Sequence, residues 1–256
     1  MGQGVRELNL IAQDLTDYGL DRQDGASLAK LIDSLTAISD LRWLRLFYAY
    51  PDQLNDEVID RIASQEKICR YLDIPVQHIS NKILKSMNRR TCAEDIYRMI
   101  ERVRERVPGI FIRTSLMVGF PGETEEDFQM LEDFVKRGWI DHLGVFSYSH
   151  EEGAPSYRLQ DDVTPEEKEE RKKRLYEIQL EFSKNRLDEL LGQEVEVLVE
   201  GLHPESEHLY IGRHEGQAPD IDNHVIINEG HVAPGKFHRV KITETAGLDL
   251  VGSVVS

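Results

Sequence analysis

The chain has 256 residues, room for one large domain and one small one. Hydrophobic residues make up 40% of it and charged ones 30%, an ordinary globular balance. No apolar run approaches the roughly 18 residues that a membrane span needs. The formal net charge of −16 argues against broad phosphate-backbone binding and suits a basic protein partner. The opening Met1-Gly-Gln-Gly-Val-Arg-Glu7 has no signal-peptide apolar core, so a cytoplasmic location is expected.

Along the first 150 residues, strand and helix signals alternate. Short apolar, β-branched or aromatic runs stand at Glu7–Ala12, Trp43–Ala49, Tyr71–Gln77, Ile110–Gly119 and His142–Ser149. Helical periods follow the first four, at Leu28–Leu35, Glu57–Ala63, Ala93–Val107 and Glu125–Val135. Such alternation predicts an α/β core of parallel strands. Five units are too few for a closed eight-stranded barrel, which leaves a partial barrel or an open doubly wound sheet.

Thr164-Pro165-Glu166-Glu167 then opens a long charged helix, with Thr164 as N-cap, Pro165 in the first turn and Glu167 completing a capping box. It runs to about Leu191, where Gly192 stops it, and its charge run Glu166 to Arg174 reads as a solvated face. Beyond it lie five short strand signals: Val195–Val199, Leu209–Arg213, His224–Asn228, Phe237–Ile242 and Leu248–Val255. Gly201, Pro219, Gly230 and Pro234-Gly235 punctuate them, which predicts a small antiparallel β-barrel of OB-like type. The expected organisation is a core over 1–163, a connecting helix over 164–191 and the barrel over 192–256. From Asp188 to Ser256 there are thirteen acids against four bases, a charge of −9.

In parallel βα architectures chemistry gathers at the C-terminal strand ends. Here those ends are Gln13-Asp14, Tyr48 and Tyr50, Gln77-His78, Gly119–Glu123, and Tyr148-Ser149. The set is polar, aromatic and glycine-rich, as a cradle for an amphipathic cofactor should be. Gly119-Phe-Pro-Gly-Glu123 ends a strand in a turn that lets backbone approach a ligand, and Thr124 with Asp127 caps the next helix. Arg89 reads equally as a carboxylate clamp or a surface cation, and a lone histidine such as His78 is more often structural than catalytic. The histidines around the barrel (203, 208, 214, 224, 231 and 238) lack zinc spacing, so no metal site is expected there. Cys69 and Cys92, with 22 residues between them, are too few for an iron–sulfur cluster.

At these residues the chain resembles the radical-SAM methylthiotransferases. Gly119-Phe-Pro-Gly-Glu-Thr124 is similar to a turn these enzymes share with other radical-SAM proteins. Pro75-Val-Gln-His and Ile83-Leu-Lys-Ser-Met-Asn-Arg89 resemble the family's Gln-containing strand end and its Leu-Lys-x-Met-x-Arg run, and the barrel resembles its TRAM domain. Leu10-Ile-Ala-Gln-Asp-Leu-Thr-Asp-Tyr-Gly19, Gln77-His78, Tyr210-Ile-Gly-Arg213, Ala218-Pro-Asp-Ile-Asp222 and Gly247-Leu-Asp-Leu-Val-Gly252 favour the RimO-type branch over the tRNA-modifying ones. The resemblance implies transfer of a methylthio group to the β-carbon of an aspartate in ribosomal small-subunit protein 12, a basic protein. The implied cofactors are S-adenosylmethionine and two four-iron–four-sulfur clusters. It further implies S-adenosylmethionine contacts from Gln13, Gln77, Arg89, Arg113, Gly119, Gly122, Glu123 and Tyr148.

The chain departs from the family in one respect. The family's Cys-x3-Cys-x2-Cys loop follows its first barrel strand, whereas this chain opens at what looks like the second. Cys69 and Cys92 do not substitute, so the chain alone is expected to bind no cluster and to be inactive. A tRNA-modifying fragment and a non-catalytic partner-binding module remain the alternatives.

Overall fold

The structure is a computed structural model and describes residues 4–255. Strands β1 (Glu7–Leu10), β2 (Trp43–Leu46), β3 (Ile68–Asp73), β4 (Phe111–Val118) and β5 (His142–Ser147) form one sheet in chain order, every pair parallel. Helices α1 (Leu28–Thr36), α2 (Asp56–Ser64), α3 (Asn81–Ser86), α4 (Ala93–Arg106) and α5 (Glu125–Val135) fill the crossovers. Their starts are written locally: the side chains of Ser27, Asn55 and Thr124 accept from the backbone N–H of Lys30, Val58 and Asp127. Around Thr124 the expected capping box forms, with Asp127 returning the bond.

Strand alternation decides what each face buries. Leu44, Leu46, Leu72, Ile112 and Leu116 point to the helices and join Ile32, Ile59, Ile100, Phe128 and Phe134 in the main core. Trp43, Phe47, Cys69, Tyr71 and Phe111 point the other way, into a second cluster completed by Ala218 of the C-terminal barrel. One helix-covered face and one concave face make this a partial barrel rather than a doubly wound sheet. The third strand starts at Ile68, not Tyr71, and ends at Asp73. Pro75 brings no N–H to a ladder, so the chain leaves the sheet there and returns only as a bridge between Gln77 and Leu116.

Helix α6 (Pro165–Asp188) follows. Thr164 caps it by accepting from Glu167 N–H, but Glu167 does not close the capping box. Its carboxylate takes Arg171 instead, at 2.5 Å. Nor is the charged run wholly solvated, since Lys168 and Arg171 are buried. They are covered because α6 lies along β5 and α5, packing Leu175 into the main core.

Strands β6 (Glu194–Leu202), β7 (Tyr210–Arg213), β8 (Val225–Glu229), β9 (Phe237–Ala246) and β10 (Asp249–Val254) close into a barrel in the order β10-β8-β7-β6-β9. All neighbours are antiparallel except β8 and β10, which run parallel. Val197, Val199, Val225, Ile227, Val240, Ile242 and Leu250 fill it. The barrel docks on the N-terminal end of the sheet. There the 214–222 loop between β7 and β8 enters the concave face: Glu215 O accepts from Arg45, Gly216 O lies 2.8 Å from His142 Nε2, and Asp222 pairs with Arg113.

Candidate functional site

The C-terminal strand ends lie at the opposite end of the sheet from the barrel. Gln13, in the segment after β1, is exposed and shares a cleft of about 440 Å³ with Asp14, Tyr50, Asn88, Arg89 and Arg90. Asn88 adopts a left-handed φ of 57°, and Arg89 N–H closes back onto Leu84 O, ending α3. That exit lays the Arg89 guanidinium over the Tyr50 ring at 5.0 Å. Among the described residues it pairs with no carboxylate, which leaves it open to an anion. Two of the predicted contacts, Gln13 and Arg89, are thus brought together.

A second group forms around the turn after β4. Gly119 and Gly122 sit at φ 72° and 83°, values that favour glycine, and Glu123 N–H closes the turn onto Phe120 O. The Glu123 carboxylate is wholly buried. It accepts from Gly119 N–H at 2.9 Å, meets Arg171 at 2.6 Å and lies 3.4 Å from His78 Nε2. His78 Nδ1 accepts from Ser80 N–H, which assigns the ring proton to Nε2, facing the carboxylate. Glu123 therefore holds the turn from within. Tyr148, just past β5, donates its N–H to Val118 O and packs edge-on against Phe120 at 5.2 Å. Gln77, at φ 69°, is bound through its backbone to Ser115 O and Met117 N–H.

Arg113 stands apart from the others. It is the third residue of the eight in β4, about 17 Å of extended chain from the strand's C-terminal end. Its guanidinium is taken by Asp222 of the barrel loop at 2.8 Å, so the structure places it in the interdomain contact instead of the strand-end site.

Sequence reading missed three residues. Asp73 closes β3 on the concave face, buried, with Oδ1 lacking a partner, and desolvation pushes its carboxyl up to about 6 against the pull of nearby Arg113. The period-2 alternation that puts Cys69 and Tyr71 on that face was the available signal. Lys168 and Arg171 are the other two, hidden inside a run that reads as solvated.

The thiols do not suit a metal cluster. Cys69 is buried, and desolvation pushes its thiol up to about 12, while Cys92 is spent at the N-terminus of α4, 3.0 Å from Asp95. Among the described residues no group of three His, Cys, Asp or Glu could hold a metal ion. Nor is any helix among them long and apolar enough to cross a membrane.

A parallel half-barrel with a glycine turn and convergent polar groups at its C-terminal strand ends defines a class, and comparison identifies it. Residues 3–135 match the Radical SAM superfamily and residues 191–255 the TRAM domain; the chain belongs to the radical SAM superfamily. Its relatives include proteins named ribosomal protein uS12 methylthiotransferase RimO. The one from Myxococcus xanthus is 50% identical over 252 residues, 98% of this chain and 53% of that protein. Those from Protochlamydia amoebophila and Geobacter sulfurreducens are 47% and 48% identical over 100% and 99% of this chain, and 54% and 57% of theirs. The chain spans about half the length of the relatives it matches.

Proposed function

We propose that this chain is the cofactor-cradling and barrel portion of an enzyme that methylthiolates an aspartate of ribosomal protein uS12 by radical S-adenosylmethionine chemistry, in the cytoplasm. The likeness to RimO proteins over essentially the whole chain carries the proposal. The site's chemistry supports the cofactor. Arg89, which pairs with no carboxylate among the described residues, suits the carboxylate of S-adenosylmethionine, and Gln13 lies in the same cleft. The Gly119–Glu123 turn and Tyr148 offer backbone and an aromatic edge to the adenosine end. Bound there, S-adenosylmethionine would supply a sulfonium open to one-electron cleavage, the electron coming from a reduced iron–sulfur cluster held outside these residues. The protein's share is to bind it, orient it and exclude water.

The cluster is a different matter. Neither thiol fits it, so we assign no step to a cluster on these residues, and this chain alone is inactive. Anaerobic reconstitution should leave far fewer than the roughly four irons per chain of such a cluster. A ratio near four would overturn that statement.

The acidic barrel segment, at −9, favours a basic protein over tRNA phosphates. Binding of the purified chain to uS12 and to bulk tRNA, each across a salt series, tests the substrate class. Binding to uS12 with little for tRNA supports the reading. Salt-sensitive tRNA binding without uS12 binding moves the chain to the tRNA-modifying branch.

A further inference from the structure

The N-terminal half of α6 is built into the strand-end site. Arg171, its side chain 3% exposed, sends Nη1 to Glu123 Oε1 at 2.6 Å and to Glu123 O at 3.3 Å. Nη2 is steadied by Glu167 at 2.5 Å, with Glu125 at 4.0 Å. One turn earlier, Lys168 lays its methylenes against Gly119, so closely that a Cβ built on Gly119 would collide with Lys168 Cγ. Its ammonium meets both Asp161 oxygens at 2.8 Å and Tyr148 O at 3.3 Å. Asp162 accepts from Gly122 N–H at 2.7 Å. The turn after β4 and the residue after β5 are thus fixed to one another by two cations of a helix that lies outside the sheet.

We infer that Arg171 and Lys168 are positioning residues for the adenosine-facing wall of the S-adenosylmethionine site, Arg171 acting through Glu123 and Lys168 through Gly119 and Tyr148. The inference rests on the proposed cofactor site. Its physical basis is the fate of a buried carboxylate. Glu123 orders the turn by accepting Gly119 N–H, and its buried carboxylate is held in place by the buried cation that faces it. His78 Nε2 lies 3.4 Å from Oε2, the carboxylate oxygen that Arg171 does not take. Without Arg171 a buried carboxylate is left lacking its cation, and the backbone that meets the ligand loosens with it. The same helix reaches the barrel, where Leu187 packs against the barrel core. One helix thus contacts both the turn and the barrel.

The test is S-adenosylmethionine binding to the chain by equilibrium dialysis, with hydrogen exchange at residues 119–124 as a second readout. Arg171→Met should weaken binding by roughly tenfold or more, the scale at which groups supporting a ligand contact act. It should also raise exchange in the turn and leave barrel amides unchanged. Arg171→Lys should recover part of the affinity. Lys168→Met, which keeps the methylene packing, should weaken binding less. In a Glu123→Gln background Arg171→Met should cost little more, since both changes break one link. Equal affinity of Arg171→Met and the unaltered chain, with the turn unchanged, overturns the inference and leaves the cofactor site standing. No binding by the unaltered chain overturns the site, and the inference with it.

Discussion

Asp73 ends β3 with its side chain buried on the concave face, and burial raises its carboxyl to about 6. A carboxyl whose folded value is raised binds more protons folded than unfolded between roughly pH 4 and 6. Its ionisation therefore removes stability as pH rises through that window, and the loss is complete above it. Asp73→Asn, which imitates the protonated acid, should have little effect near pH 4. Near pH 7.5 it should stabilise the chain by up to about 3 kcal/mol, at roughly 1.36 kcal/mol for each pH unit by which burial raises the carboxyl. Thermal melts of both proteins at the two values decide it; a gap independent of pH would mean that Asp73 is not the titrating group. At this scale the sequence was legible wherever a residue's neighbours in the chain fix its role. The Gly119–Glu123 turn is such a case, because its two left-handed backbone positions need glycine. Arg113 was not, because its partner Asp222 lies 109 residues away and only the docked barrel brings it near.

Elements were read more faithfully than residues. All five parallel strands and all five barrel strands have a counterpart in the sequence pattern, since period-2 burial writes itself into side-chain choice. Ends were less legible. The third strand reads three residues late because the charged Arg70 cuts Ile68 and Cys69 off from the apolar run that starts at Tyr71, and the parallel pairing of β8 with β10 depends on closure that no local pattern encodes. The character of α6 was misread for a related reason: Lys and Arg look solvated until the acids that bury them, Glu123 and Asp161, are in place. Closure of the barrel also sets a steric requirement. A Cβ on Gly212 would stand 2.5 Å from Leu198 O across the β6–β7 pair. Gly212→Ala must push the two strands apart, at a cost of roughly 1–3 kcal/mol. Hydrogen exchange should rise first and most in β6 and β7, ahead of β3 and β4. A loss spread evenly over the chain would show that the barrel has no separate closure to break.

On the scale of the molecule, the barrel is held to the sheet by charges that water does not reach. Glu7 of β1 meets Arg45 Nε at 3.2 Å and Arg213 Nη2 at 2.7 Å, and all three side chains are at most 8% exposed. Arg45 goes on to Glu215 O and Arg213 to Glu200. A buried ion network adds little net stability compared with apolar packing, but removing one member strands the others. Glu7→Gln leaves two buried guanidinium groups facing a neutral amide. Because each keeps a second partner, the expected cost is about 3 kcal/mol, the low end for such a break. Arg42 and Glu196 form the natural control, a second pair between sheet and barrel in which Arg42 is 59% exposed. Arg42→Gln should change stability by less than about 1 kcal/mol and be sensitive to salt. Calorimetry separates the cases: the unaltered chain and Arg42→Gln should melt in one transition, and Glu7→Gln in two, the barrel releasing first. The reason lies in the cooperativity. If the network fixes the barrel, the 214–222 loop cannot leave the concave face without exposing Trp43, Tyr71 and Phe111, so both units must melt together. A single transition for Glu7→Gln, lowered no further than for Arg42→Gln, would place the cohesion in that aromatic cluster and not in the charges.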